Sequence, residues 1–423
     1  MTKAKPVKSI KCTQCGAPLQ LFGGHRIETI TCSYCGAVLD NKNEYKVLKK
    51  FVNTKRPAIP FAIGAQATLK GITFTTIGFL QYTNTTEYYS WIEYLLFSPT
   101  HGYAWLECED GHFILSRKVR DNPEGRILTY RKSRIRVRDQ DFKVFETYGA
   151  ELTYVEGELT WEAQRGDKLS FIDAINPPYI FCIEKNRKEQ EYSLGEYLNY
   201  AEVYRGFSIK PPMRGPSGIH AAQPYTPNAL VRGLHSAGKY FAPIALVIFL
   251  LVLFIGSGEV VMSQNFYPDQ YLSQTGELSK SFSINQAQRL VRLDLYSDLN
   301  NAWGWYDIEI LKDNIPIYSL GKQISYYHGY SGGESWSEGS RSVHAYLKVP
   351  QNGVYSLRIT GEGGMGEYGK TPQRRKLFIS VKEGVIVSRY FLILFIFSLL
   401  SWLLIYMRKL LFEAARWKDD DDD

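Results

Sequence analysis

Two long apolar segments constrain this chain more than any other feature of its sequence. Tyr240–Gly256 (YFAPIALVIFLLVLFIG) and Tyr390–Met407 (YFLILFIFSLLSWLLIYM) contain no charged residue. As helices they would be roughly 26 Å long, close to the ~30 Å hydrocarbon core of a bilayer. Neither segment has the polar face that a helix on the surface of a globular domain keeps. We therefore expect two transmembrane helices, over residues 239–257 and 388–408, rather than two buried core helices.

Basic residues flank the two segments on one side. Arg232 and Lys239 precede the first segment, and Arg408 follows the second. Because positive residues favour the cytoplasmic side, we expect both termini in the cytoplasm and residues 258–387 outside it, with the lipid bilayer as one partner. We expect no secretory signal, because Met1–Ser9 is basic and polar and no apolar core follows it.

Four of the six cysteines form two closely similar pairs near the start of the chain. The pairs read CTQC and CSYC, are separated by sixteen residues, and continue as CGAPL and CGAVL. Tetrahedral Zn²⁺ needs four soft ligands from two tight turns, and a glycine after each pair allows backbone amides to approach the sulfurs. We therefore predict a zinc ribbon over residues 1–45, with Zn²⁺ bound by Cys12, Cys15, Cys32 and Cys35. Four thiolates leave no open coordination position, so the predicted site is structural.

Residues 57–205 are rich in β-branched and aromatic residues, with turn signals about every ten residues. This pattern predicts an antiparallel barrel or sandwich on the cytoplasmic side. One helix-like stretch lies near Ser193–Tyr204. Cys108 and Cys182 read as small buried residues rather than reactive thiols.

Several segments of this domain carry a family resemblance. They are Ile63–Gly64, Leu69–Phe79, Tyr89–Phe97, Gly102–Leu106, Asp110–His112, Val155–Trp161, Gly166–Asp167, Pro177–Pro178 and Gly195–Tyr197. In these segments the chain resembles a bacterial domain of unknown function, number 4178, whose members are often preceded by a zinc ribbon. The family has no established activity to transfer. Its members accompany membrane-stress, phage-shock-like and polyamine-related proteins, so the resemblance implies a membrane-associated accessory role.

Two alternatives to an accessory role stay open. If Glu93, His101 and His112, with Asp110 nearby, formed an acid–base site, the middle domain would be an enzyme. The family resemblance would then relate its activity to polyamines. No nucleophile, phosphate loop or open metal site accompanies these residues, which favours structural roles for them. The other alternative is a zinc-ribbon protein that binds nucleic acid.

A basic stretch lies within the middle domain. Residues 1–256 carry 32 basic against 24 acidic residues, whereas residues 257–388 carry 13 of each. Arg134, Arg136 and Arg138 alternate with apolar residues, so on a strand they would share one face. This face is either simply solvated or binds an anion or an acidic partner. Near a bilayer, lipid headgroups or a protein are favoured over nucleic acid as its target.

The rest of the chain completes the predicted organisation. The proline-rich residues 206–238 read as an extended linker. Residues 258–387 alternate like strands and predict a jelly-roll-like β-sandwich, with a hairpin turn at Asn352-Gly353. Residues 409–423 form a cytoplasmic tail that ends in the acidic run Asp419–Asp423, either a solvated native tail or an artificial addition.

The expected fold class is a mainly β, multidomain membrane protein. It comprises an N-terminal zinc ribbon, an antiparallel β barrel or sandwich domain, and two transmembrane helices flanking a jelly-roll-like sandwich. The expected function is that of a non-catalytic, membrane-anchored adaptor or sensor in the bacterial cell membrane, as a subunit of an envelope, membrane-stress or defence assembly. Protein partners and a homo-oligomer are expected, since two single spans can transmit a state only if assembly or tilt differs between states.

Overall fold

The computed structural model describes residues 3–50, 55–124, 127, 129–186, 189–365 and 375–418. The chain is mostly β and divides into two compact units. The first unit is Met1–Thr226 with Lys409–Asp423, and the second is Pro227–Arg408. The acidic run Asp419–Asp423 lies outside the described residues.

The first unit contains fifteen strands and one short helix among its described residues. The strands are β1 (Lys8–Lys11), β2 (Pro18–Leu21), β3 (Thr29–Thr31), β4 (Ala37–Asp40), β5 (Val47–Lys50), β6 (Gln66–Leu69), β7 (Ile72–Asn84), β8 (Ser90–Ser98), β9 (Gly102–Glu109), β10 (His112–Val119), β11 (Arg134–Val137), β12 (Gln140–Leu159), β13 (Lys168–Asn176), β14 (Tyr179–Lys185) and β15 (Gln190–Leu198). The helix is α1 (Tyr200–Gly206).

Eight antiparallel strands of this unit close into a barrel. Their order is β7-β8-β9-β10-β15-β14-β13-β12, and β12 pairs back with β7. Of the predicted barrel or sandwich, the barrel forms. Closure brings the two backbones together at Gly78, opposite Gly157. A Cβ atom on Gly78 would lie 2.4 Å from the carbonyl oxygen of Glu158, so only glycine fits this seam.

The barrel strands have one face toward the lumen and one face outward. Trp91 on β8 contacts Tyr148 on β12 and Phe171 on β13, with ring centroids 5.8 and 5.9 Å away. Because β8 is not a neighbour of β12 or β13, these contacts cross the lumen. On the outward face, Tyr94 packs on Phe61, which stacks on Phe207 after helix α1.

The predicted helix near Ser193–Tyr204 is correct only in its second half. Helix α1 begins at Tyr200, where the Asn199 side chain caps it by accepting a hydrogen bond from the N–H of Ala201. The residues before it form β15, which completes ladders with β10 and β14. Ladder pairing on both sides therefore prevails over local helix propensity.

The second unit contains two long helices, one short helix and ten strands among its described residues. Its elements are α2 (Ala229–Ile255), β16 (Glu259–Phe266), α3 (Pro268–Tyr271), β17 (Glu277–Leu278), β18 (Phe282–Ile284), β19 (Leu290–Ser297), β20 (Ala302–Lys312), β21 (Ile315–Ser331), β22 (Glu334–Ser340), β23 (Ser342–Leu347), β24 (Gly353–Met365), β25 (Leu377–Val385) and α4 (Ser388–Arg416). The last eight residues of α4 belong to the first unit.

Two sheets of the second unit share one core and form a β-sandwich. One sheet has the order β16-β25-β19-β23, and the other has β17-β24-β20-β21-β22 with β18 also on β24. Leu293 and Ile379 of the first sheet pack in one cluster with Ile308 and Leu357 of the second. The hairpin predicted at Asn352-Gly353 is wrong, because β23 and β24 lie in different sheets and the turn crosses between them.

The two long helices coincide with the predicted spans except at their ends: α2 starts earlier and stops two residues before position 257, and α4 runs past position 408. Helix α2 begins at Ala229, inside the segment predicted to be linker, because the Asn228 side chain accepts a hydrogen bond from Val231 N–H. Helix α4 continues to Arg416, past the predicted end of its span. By length and composition both helices could cross a membrane. In the described residues, 22% and 6% of their apolar windows are buried, so most of this apolar surface lacks a protein partner.

Candidate functional site

The two cysteine pairs form nearly identical turns. Gly16 N–H donates to the carbonyl of Cys12 at 2.8 Å, and Gly36 N–H donates to that of Cys32 at 2.9 Å. The two glycines have φ angles of +77° and +68°, a region that glycine adopts without strain. The repeated sequence therefore gives repeated geometry, which aims two sulfurs from each turn toward the same point.

The four sulfur atoms lie as close as the ligands of a single metal ion. The Sγ atoms are 3.8 Å apart for Cys12 and Cys35, and 3.9 Å apart for Cys15 and Cys32. All four lie within 4.8 Å of one another. A tetrahedral ion with metal–sulfur bonds of about 2.3 Å would place its sulfurs about 3.8 Å apart. The cluster therefore fits one tetrahedral ion.

The cysteine-bearing segment is attached to the barrel. Strand β3 pairs with the end of β12, which extends the barrel sheet into this segment. The Glu158 carboxylate accepts hydrogen bonds from the N–H groups of Phe22, at 2.6 Å, and Gly23, at 3.0 Å. Burial raises the pKa of Glu158 to about 7 even with these amide donors.

The three arginines predicted to share a face lie on and just after β11. Ile135 and Val137 are buried, and Arg134 and Arg136 are exposed between them. Each arginine faces a carboxylate: Arg134 lies 3.6 Å from Asp141, Arg136 lies 3.4 Å from Glu124, and Arg138 Nε donates to Asp121 at 2.9 Å. These carboxylates offset the positive charge that an anion would need.

The residues proposed for an acid–base site do not meet at one place. Glu93 points into the lumen from β8, because it shares its face with Trp91, whose Nε1–H donates to it at 2.9 Å. His101 lies exposed in the turn before β9, whereas His112 lies just after the other end of β9. Eight strand residues separate the two histidines, roughly 26 Å at about 3.3 Å per residue. Asp110 lies in the turn beside His112, with φ +47°.

His112 closes one end of the barrel rather than facing an open cleft. Its Nε2–H donates to the Ser217 carbonyl at 2.8 Å, and its Nδ1 accepts from the Tyr197 hydroxyl at 2.9 Å. Desolvation lowers the pKa of His112, so the imidazole is neutral. Both ring nitrogens are occupied, which leaves His112 no free group for proton transfer.

The lumen contains further carboxylates that sequence reasoning missed. Glu107 and Glu109 on β9, Asp173 on β13 and Glu184 on β14 share inward faces with aromatic residues. Desolvation raises the pKa values of all of them, to about 7 for Glu109 and Glu184. Their only sequence signal was the period-two alternation along the strands.

The two remaining cysteines differ in their surroundings. Burial raises the pKa of Cys108 to about 12 and that of Cys182 further, so both are protonated thiols at neutral pH. Cys182 faces Asp173 across the ladder of β13 and β14. Both fit the prediction of small, unreactive residues.

Comparisons with solved structures give only very weak likenesses. The insecticidal delta-endotoxin Cry8Ea1 from Bacillus thuringiensis is 6% identical, with a TM-score of 0.17 over 75% of this chain and 51% of the toxin, so the chain spans about half of that protein. PNGF-II is 10% identical, with a TM-score of 0.17 over 74% of this chain and 68% of that one. Scores this low support no conclusion about fold or function.

The sequence comparisons are more specific. No curated protein matches the chain. Residues 62–200 match the family described as "Domain of unknown function (DUF4178)". The matched range begins before β6 and ends at the start of α1, so it contains every strand of the closed barrel. The resemblance expected from the sequence is confirmed for residues 62–200, which contain the barrel.

Proposed function

We propose that the protein is a non-catalytic, membrane-anchored adaptor or sensor in the bacterial cell membrane. One observation carries this proposal: segments adjoining both apolar helices meet at one end of the barrel. We call this region the plug and define it as residues 217–223 together with Arg416 and Trp417. Ser217 N–H donates to the Asp110 carbonyl at 3.0 Å, beside the turn between β9 and β10.

The plug joins the chain before helix α2 to the end of helix α4. The Arg416 guanidinium donates to the Gln223 carbonyl. Trp417 packs on Phe145 with ring centroids 5.4 Å apart, and it joins a cluster that contains the fully buried Ala222. A change in either apolar helix would therefore reach the barrel through the plug, as a sensor or adaptor requires.

A partner experiment tests this proposal. The intact protein is recovered from native membranes in mild detergent, and its companions and particle mass are measured. We expect a stoichiometric protein partner, in an envelope, membrane-stress or defence assembly, and reduced recovery of it with Trp417→Ala at unchanged protein level. A chain that is recovered alone, or only as a homo-oligomer, would contradict the adaptor role.

For the topology, we propose that both termini are cytoplasmic and that residues 258–387 are outside. Two spans return the chain to its starting side, and the basic flanks favour the cytoplasm for that side. Asp313→Cys, in the turn between β20 and β21, should react with a membrane-impermeant maleimide in whole cells. Thr13→Cys would add a thiol on the cytoplasmic side and serves as the unlabelled control; the reverse labelling would overturn the orientation.

For the cysteine cluster, we propose a structural Zn²⁺ ion. Four thiolates suit this ion and leave no position for substrate. Zinc would fix both turns and, through β3, the end of β12. Metal analysis of the purified protein should give one zinc per chain.

A further inference from the structure

A second set of metal-binding side chains lies inside the barrel, apart from the cysteines. Glu107 and Glu109 point into the lumen from the same face of β9. His220 reaches them from the plug, and one ligand atom from each of the three residues lies within 4.8 Å of the others. Two separate parts of the chain thus supply two carboxylates and one imidazole to a single point.

Among the described residues, neither carboxylate has an ion-pair partner. In the described parts of the chain, neither Glu107 nor Glu109 accepts a hydrogen bond or forms an ion pair. The charged groups that act most strongly on Glu107 are Glu93, Glu109 and Asp173, all acids. A buried set of acids of this kind is stabilised by a bound cation.

His220 is the independent component of the site. It belongs to no barrel strand, and Pro216, immediately before the segment that carries it, contacts Gly111 in the β9–β10 turn. The Nδ1 atom of His220 accepts a hydrogen bond from Ala222 N–H, so the imidazole is neutral and keeps one lone pair for an acceptor role. A neutral imidazole between two carboxylates is a common donor set for divalent metals.

We propose that Glu107, Glu109 and His220 bind a divalent metal ion of the Mn²⁺ type inside the barrel. Carboxylate oxygens and imidazole suit Mn²⁺ and related ions, whereas the cysteine cluster suits Zn²⁺. Glu107 and Glu109 are only partly buried although strands surround them, and water molecules would complete the coordination.

Binding of the ion would also act on the plug. His220 Nδ1 accepts a hydrogen bond from Ala222 N–H at 3.1 Å. The single lone pair of the ring serves either this amide or the metal. If Nδ1 binds the ion, the lone pair is used; if Nε2 binds it, the ring proton moves to Nδ1. In both cases the ion replaces the Ala222 hydrogen bond, so occupancy of the lumen alters the turn that leads toward helix α2.

This inference adds to the proposed sensor function by naming the ligand that is sensed. Only the signalling role of the metal rests on that proposed function. The site itself is tested without any partner. The purified full-length protein in detergent is titrated with Mn²⁺, and free Mn²⁺ is followed by its electron paramagnetic resonance signal. Mn²⁺ competes poorly for thiolates, so the cysteine cluster does not interfere.

We expect one Mn²⁺ per chain in the unmodified protein. Glu107→Gln, Glu109→Gln and His220→Gln should each weaken binding by at least about tenfold, because even residues behind metal ligands contribute 10–100-fold. Glu184→Gln is the matched control: it removes an equally buried luminal carboxylate outside the three ligands and should leave affinity within about twofold.

Three outcomes would overturn the site. They are no Mn²⁺ binding by the unmodified protein, binding that the three ligand variants leave unchanged, and binding that Glu184→Gln weakens as much as they do. Zinc content and thermal stability of each variant verify that it has folded. Failure of this titration leaves the partner experiment unaffected, so the two proposals can fail separately.

Discussion

At the scale of single residues, Glu93 illustrates the energetic cost of the barrel lumen. Desolvation raises its pKa from 4.5 to about 8, against the favourable hydrogen bond from Trp91. The folded state therefore holds a proton that the unfolded state releases above pH 4.5. The contribution of this proton to the free energy of unfolding is fully present below pH 4.5 and is lost as the pH rises through 8. The free energy of unfolding then falls by at most about 1.4 kcal/mol per pH unit.

Glu93→Gln should remove this pH dependence while keeping the hydrogen bond from Trp91. We expect the melting temperature of the unmodified protein to fall between pH 5 and 8 more steeply than that of the variant. Glu87→Gln, an exposed residue in the turn before β8, is the control. Parallel curves for Glu93→Gln and the unmodified protein would mean that Glu93 is not protonated in the folded state.

The cysteine cluster makes a second residue-scale prediction. Cys12→Ser should abolish bound zinc, because three thiolates bind the ion far more weakly than four. Cys108→Ala should keep zinc, since this cysteine lies on the outward face of the barrel, apart from the cluster. Metal analysis after purification distinguishes the two. Full zinc content in Cys12→Ser would show that the cluster does not bind the metal as a set.

The cysteine cluster and the luminal site of Glu107, Glu109 and His220 differ in how far the sequence could predict them. The cysteines were predictable because each pair is close in sequence and the conformation of each turn is set by its own residues. Glu107 and Glu109 were not, because alternation along β9 does not tell which face is inside until the barrel closes. His220 gave even less signal, since a proline-rich segment that reads as a linker packs here against the barrel.

At the scale of elements, closure of the barrel depends on the seam between β7 and β12. Gly78→Ala would place a Cβ atom 2.4 Å from the backbone oxygen of Glu158, which a ladder cannot accommodate without separating the strands. We expect a loss of at least about 2 kcal/mol, as for overpacked cores. Gly71→Ala is the control: it meets no atom within 4 Å, although its φ of +76° carries a cost of about 1 kcal/mol.

Chemical denaturation of both glycine variants measures this difference. Equal losses of unfolding free energy would mean that the seam tolerates a side chain and that closure does not depend on Gly78.

The Asn352-Gly353 segment shows in the second unit how far local residues decide strand pairing. Its residues favour a tight hairpin turn, but the chain only bends there, and the strands before and after it join different sheets because the shared core of the sandwich decides pairing.

At the scale of the whole molecule, the order of elements was predictable and their attachments were not. Apolar runs and alternating strands are local patterns, so the β-rich character and the two apolar helices followed from them. The plug joins residues almost two hundred positions apart, and no local pattern encodes such a contact. The end of α4 was expected as a free tail, yet the Arg416 side chain is only 1% exposed.

This attachment makes the last prediction. Arg416→Ala removes the donor to the Gln223 carbonyl and should free the segment before helix α2. A hydrogen bond from a charged group contributes about 1.5–3 kcal/mol, so local opening should rise at least about tenfold. Trypsin should then cleave after the exposed Arg214 at least about tenfold faster in folded protein. Lys409→Ala removes an exposed basic residue of the same helix and should leave this rate unchanged; equal rates in all three proteins would show that the plug does not depend on α4.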